Sequence, residues 1–234
     1  MTMKSKRVNR REALTYLGAA GAALAVGCGG DSPTAASAAT GGDSATTSTN
    51  AACATTPNET AGPFPSVTDM FRSDIRENKP GTALVLTISV VNVSNACAPV
   101  SGASVEIWQC DATGNYSQYG TQAGQTYLRG IQTTNAGGEV TFTTIYPGWY
   151  QGRATHIHAE VTIGGVSRKV TQIAFPESVN NTVYGSGVYA SRGSNPTSNA
   201  RDGIFADSLA AELVTPTGDP GGGYRAKFQI ALAA

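Results

Sequence analysis

The sequence predicts an all-β protein: an antiparallel β-sandwich core with long loops and little helix. Three observations carry this reading. Short segments alternate apolar and polar residues with the two-residue period of a strand. Glycine is abundant, 28 in 234 residues, and Gly- or Pro-rich turns separate those segments. Charged residues make up only 14% of the chain, which suits strands and turns better than solvent-facing helices.

The elements follow in order. Leu84 to Val93 alternates and reads as a strand. Ala98-Pro99-Val100-Ser101-Gly102 is a turn, and Ala103 to Gln109 is a second strand with Val105 and Ile107 on one face. Asn135-Ala136-Gly137-Gly138 is a strong turn signal before a strand from Glu139 to Tyr146. Thr155 to Ile163 turns at Gly164-Gly165 into Val166 to Phe175. Tyr224 to Leu232 is a final strand, and only Ser208 to Val214 has the character of a helix. There is no internal repeat and no second folded domain, so residues 53–234 are expected to form one domain with a real core.

Residues 1–28 read as an export signal rather than as part of that domain. Lys4, Lys6 and Arg7 form a basic start, Arg10-Arg11 is a twin-arginine pair, and Leu14 to Gly27 is a short apolar run. The run is short and rich in Ala and Gly for a membrane span. Leu24-Ala25-Val26-Gly27-Cys28 resembles a lipobox, with Ala25 where Leu is usual, so a lipid anchor at Cys28 is the one membrane contact expected. Residues 29–52 are almost wholly Gly, Ser, Thr, Ala and Asp and read as a flexible tether. The protein is therefore expected outside the cytoplasm. There a disulfide among Cys53, Cys97 and Cys110 is expected, with the pairing open and one thiol left over. Lysine plus arginine equals aspartate plus glutamate, 16 each, so nothing in the charge balance points to nucleic acid or an anionic membrane.

The chemistry concentrates at His156-Ile157-His158, which holds the only two histidines of the chain. On a strand, residues i and i+2 share a face, so both imidazoles can reach one ion. The same pattern also occurs as a solvated surface pair. Here, however, the preceding turn Tyr146-Pro147-Gly148-Trp149-Tyr150-Gln151-Gly152-Arg153 delivers a phenol and a guanidinium beside the pair. A zinc site would want cysteine or carboxylate partners. Phenolate oxygen is a hard anionic donor that suits a ferric ion. Tyr150, just before the histidines, and Tyr116, in the loop after Trp108, are the candidate donors, and Tyr146 competes with Tyr150.

With those residues in view, the sequence resembles the intradiol ring-cleavage dioxygenases, which open catechols with non-haem ferric iron. The resemblance runs from about Glu59 to Phe205. It is carried by Glu59-Thr60-Ala61-Gly62-Pro63-Phe64-Pro65, Arg72-Ser73-Asp74-Ile75-Arg76-Glu77, the Trp108 to Tyr116 segment and Tyr127 to Thr133. Its most specific parts are Pro147-Gly148-Trp149-Tyr150, Arg153 to His158 and Thr171-Gln172-Ile173-Ala174-Phe175. The resemblance implies Fe(3+) held by Tyr116, Tyr150, His156 and His158, with Tyr150 the ligand that leaves when substrate arrives. It implies that Arg153 stabilises negative charge beside the ring and that Gln172 lines the site. It implies a catecholic substrate and O2 as partners, and pocket walls from Gly62 to Pro65 and around Asp74 to Arg76. The helical N-terminal dimerisation domain of many members has no counterpart in the sequence, which gives no basis for that dimer and leaves the oligomeric state open. A second reading is a non-enzymatic sandwich that binds aromatics or a partner.

Overall fold

The chain is described by a computed structural model over residues 54–234. The expected export signal, the tether, Cys28 and Cys53 lie outside the described residues. Two sheets make up the fold. One contains β1 (Ala83–Asn92), β2 (Ala98–Pro99), β5 (Glu139–Ile145), β8 (Thr217–Asp219) and β9 (Gly223–Leu232). The other has the order β4 (Arg129–Thr133), β3 (Ser104–Trp108), β6 (His156–Ile163) and β7 (Val166–Ala174). Helix is confined to α1 (Glu177–Tyr184) and the single turn α2 (Leu209–Glu212), besides short 3-10 turns. No helix among the described residues is long and apolar enough to cross a membrane.

Alternation builds the core. In β1, Leu84, Leu86, Ile88 and Val90 are fully buried, and their neighbours face outward. Tyr224, Ala226, Phe228, Ile230 and Leu232 do the same in β9, and Val140 and Phe142 in β5. From the second sheet come Val105, Ile107, Ile157, Ala159 and Val161, and all of these side chains join one apolar cluster. The residues between them in β3 and β6 therefore lie on the other face of the four-stranded sheet, away from the core. His156 and His158 are among them.

Two expectations are corrected. The sandwich is not wholly antiparallel, because β1 and β9 run parallel over Leu84–Asn92 and Tyr224–Leu232. A parallel pair needs a long connection, and here nearly the whole domain separates the two strands. The helix expected over 208–214 is only one turn, since Leu213 is extended and Val214 donates its N–H to Ala174 beside β7. Strand β4 and helix α1 have no counterpart in the sequence reading. In β4, Arg129 and Gly130 interrupt the apolar alternation.

Cys97 is disulfide-bonded, whereas Cys110 is a free, buried thiol. Because Cys110 is free, it is not the partner of Cys97, and it is the thiol left over. Cys110 packs with Trp108 and Tyr116, and burial pushes its thiol up to about 12. It is expected to resist a water-soluble thiol reagent in the native protein and to react once denatured; rapid native labelling would show that this loop opens. Phe142 is fully buried between the sheets. Phe142→Ala is expected to cost about 3–5 kcal/mol in denaturant unfolding, and a loss below about 1 kcal/mol would mean that the site collapses around the gap.

Candidate metal centre

Strand register assembles the centre. Arg129 of β4 lies opposite Trp108 of β3, Trp108 opposite His158 of β6, and His158 opposite Gln172 of β7. Directly opposed residues share a face, so one row across four strands carries these side chains on the outer face. Trp108 lies flat on His158, with ring centroids 4.9 Å apart and planes 1° apart. His156 stands one pleat along the same face, and its Nε2 is 3.1 Å from that of His158. Gly62 covers the pair from above: a Cβ there would lie 3.1 Å from His158 Cε1, and its φ of +68° favours glycine.

The tyrosines arrive on two loops that brace each other. After β3, Asp111 Oδ1 accepts the N–H groups of Thr113 and Asn115 at 3.0 Å each and curls the loop that ends at Tyr116. The turn after β5 reaches Tyr150. A Cβ at Gly148 would overlap the Asp111 carbonyl, so only glycine lets the two loops close on each other. Arg192 clamps both, donating to the Thr113 carbonyl at 2.6 Å and lying 4.2 Å over the Trp149 ring. Arg129 is fully buried and fastens the Tyr116 loop from below, donating to Ser117 O at 2.7 Å and Phe64 O at 2.9 Å.

The four expected donors come together. The rings of Tyr116 and Tyr150 are 5.7 Å apart, and Tyr116 lies 6.4 Å from His158. Tyr150 Oη is 3.5 Å from His156 Nε2. Tyr146, the competitor of Tyr150, is instead in the inter-sheet core and donates its hydroxyl to Asn180 at 2.7 Å. Arg153 and Gln172 are also present: Arg153 Nη1 reaches Tyr150 Oη at 3.5 Å and Nη2 donates to Gln172 Oε1 at 2.5 Å. The Gln172 amide in turn donates to Thr60 O at 2.9 Å.

Phe64 stacks on Tyr116 at 4.7 Å and meets Tyr150 edge-on at 6.0 Å. Beside them lies a cavity of about 300 Å³ lined by Phe64, Asn115, Tyr116, Tyr119 and Gln122. The expected wall at Asp74 to Arg76 is elsewhere. Those two residues pair with each other and line a larger, charged depression of about 550 Å³ that contains none of the donors.

Burial decides the charge state. It pushes His156 down to about 3, with Arg153 adding to the effect, and pushes His158 well below its ordinary value, with His156 and Arg153 adding to it. Burial also raises both phenols, Tyr116 far more than Tyr150, whose rise is opposed by Arg153. All four donors are then neutral when no cation is present. Their arrangement suits one. The Nδ1–H of His156 donates to Ala154 O at 2.7 Å, which leaves its Nε2 lone pair directed at His158. Tyr116 Oη is buried with no hydrogen-bond partner, and such an orphan costs about 1–3 kcal/mol. Among the described residues no three His, Cys, Asp or Glu side chains cluster as ligands, so the phenols are what complete the set. Two imidazoles and two phenols fit a hard trivalent ion such as ferric iron.

Asp202, Phe64 and Thr60 contribute individually at the site without a local sequence signal that marks them. Asp202 is a lone acid in a polar loop, and nothing in its local pattern marks it.

The chain is similar to several known proteins. A family model described as dioxygenase matches residues 57–192. The catechol 1,2-dioxygenase of Candida albicans is 33% identical over 108 residues, 37% of this chain and 36% of that protein. The chlorocatechol 1,2-dioxygenase of Rhodococcus opacus is 27% identical over 121 residues, 43% of this chain and 46% of that protein. This chain thus spans less than half the length of those relatives. An intradiol ring-cleavage dioxygenase structure from Tetranychus urticae superposes with a TM-score of 0.71 at 30% identity, covering 77% of this chain and 95% of that one.

Proposed function

The chain belongs to the intradiol ring-cleavage dioxygenase family, and from that premise we propose that it cleaves a catechol between its two hydroxyl-bearing carbons, using O2 and ferric iron, to give a muconate-type dicarboxylate. The observation that carries the proposal is the convergence of Tyr116, Tyr150, His156 and His158 on one buried point beside an aromatic cavity.

These four residues would hold the iron. When bound, ferric iron supplies the Lewis acidity that ionises the phenols and both catechol oxygens and primes the chelated ring for O2. The histidines remain neutral imidazoles, kept so by burial. Tyr150 is the more exposed phenol and stands beside Arg153, so it would be the donor to give way to substrate and to take a catechol proton at Oη. Tyr116, buried under Phe64, stays. The guanidinium of Arg153 faces the negative charge that grows on the substrate. Gln172 holds Nη2 of Arg153 in that direction. Phe64 lines the cavity and screens its aromatic wall from bulk water.

The basic start, twin arginines and apolar run of residues 1–28 support export, and the lipobox-like segment supports a lipid anchor at Cys28. On this reading the enzyme meets its catechols outside the cytoplasm.

The test is a visible absorption spectrum of the iron-loaded protein before and after catechol is added without O2. A broad phenolate-to-iron band that moves to longer wavelength is expected; a colourless protein with iron bound would sink the proposal and leave the binding-module reading. Tyr150→Phe is expected to keep most iron, shift the band and lose activity, and full activity would exclude Tyr150 as the departing donor. Arg153→Ala is expected to keep the band while turnover falls by roughly a hundredfold, as for a lost charge-stabilising donor.

A further inference from the structure

Asp202 is 1% exposed and lies on the loop between α1 and α2. Its two oxygens do different things. Oδ1 accepts the N–H of Ile204 at 2.9 Å, which folds the loop back on itself. Oδ2 accepts Arg153 Nε at 2.8 Å and the N–H of Ala154 at 2.6 Å.

That oxygen therefore starts two branches into the site. One runs through the guanidinium. A carboxylate often takes Arg bidentately, but here it holds Arg153 through Nε. This leaves Nη1 for Tyr150 Oη and Nη2 for Gln172 Oε1. The other branch runs through the backbone of Ala154. The Ala154 N–H is fixed by Asp202, and the Ala154 carbonyl two residues before His156 accepts its Nδ1–H. The position of that carbonyl selects the tautomer whose Nε2 is bare.

We propose that Asp202 is a positioning residue for this centre: it aims Arg153 at the bound substrate and, through the backbone of Ala154, orients His156 as a metal ligand. The inference rests on the ring-cleavage reading above. The carboxylate hydrogen-bonds to none of the four donors, so its contacts reach the site through Arg153 and Ala154. The phenyl ring of Phe205, 5.9 Å from the guanidinium, closes the pair on one side.

The experiment is a double-mutant cycle in the full chain, with Asp202→Asn, Arg153→Ala and the double variant, each loaded with ferric iron. The readouts are kcat and KM on catechol, ferric affinity by chelator competition, and the visible band. Asp202→Asn is expected to keep the band, to lower kcat by about tenfold or more, and to weaken ferric affinity by about tenfold, as outer-shell partners of metal ligands do. KM is expected to move by less than about threefold, since the loss falls on the transition state. In the Arg153→Ala background the same change is expected to leave kcat within about twofold, because its route is gone. It should still weaken ferric affinity there, through Ala154.

An unchanged kcat in Asp202→Asn, or losses of kcat that simply multiply in the double variant, would overturn the proposal. So would an Asp202→Asn protein that has lost its far-ultraviolet circular dichroism, since Asp202 would then be a residue of the fold alone. Failure of the wild type to turn over catechol with iron bound is a separate result. It overturns the ring-cleavage reading itself and is seen before any variant is made.

Discussion

The register of β6 is the constraint on which the rest depends. A strand exposes alternate residues to opposite faces, so a slip of one residue would turn His156 and His158 into the apolar core and Ile157 and Ala159 out of it. Three buried apolar side chains, Ile157, Ala159 and Val161, oppose any such slip. The same packing that stabilises the sandwich thus fixes which way the imidazoles point. Neighbouring strands extend the arrangement, since Trp108 and Gln172 are aligned with His158 by main-chain pairing alone. The loops then have a smaller task, which is to bring two phenols over a row already set.

The electrostatic design follows from burial. Without a cation the centre holds neutral imidazoles and neutral phenols, and its one close ion pair is Arg153 with Asp202. Isolated charges would be costly here, and Arg129 meets that cost by donating to Ser117 and Phe64. Two phenols that burial keeps protonated become anionic only when a strong Lewis acid arrives. On the proposed reading their ionisation and the capture of the ion would be one event, which would favour hard, highly charged cations.

The strands with clean alternation, β1, β3, β5, β6 and β9, were legible in the sequence almost to the residue. The convergence of Tyr116, Tyr150, His156 and His158 was legible too, through the spacing of Tyr150, His156 and His158 on a turn and strand and through the family resemblance. What could not be read depends on distant partners. Strand β4 contains Arg129 and Gly130, whose value lies in what packs beside them: a Cβ at Gly130 would meet Ile75 at 2.5 Å. The parallel β1–β9 pair joins residues from opposite ends of the domain. Asp202 matters because it lies beside Arg153, 49 residues away. Tyr146 and Tyr150 share a turn and similar chemistry, and only their contacts separate a core hydroxyl bound to Asn180 from one facing His156.

The place of β9 has a consequence for how the molecule comes into being. It lies inside its sheet, between β1 and β8, and supplies Phe228, Ile230 and Leu232 to the core. During synthesis these residues leave the ribosome after every other described strand of the domain. Until then β1 has an open edge and the core lacks one wall, so the nascent chain can gather only loosely around the sheet of β4, β3, β6 and β7. Closure is a long-range, high-contact-order step that waits for the last strand. The histidine row is complete well before that moment, but its support is not, and the newborn chain would need shelter from aggregation over that interval.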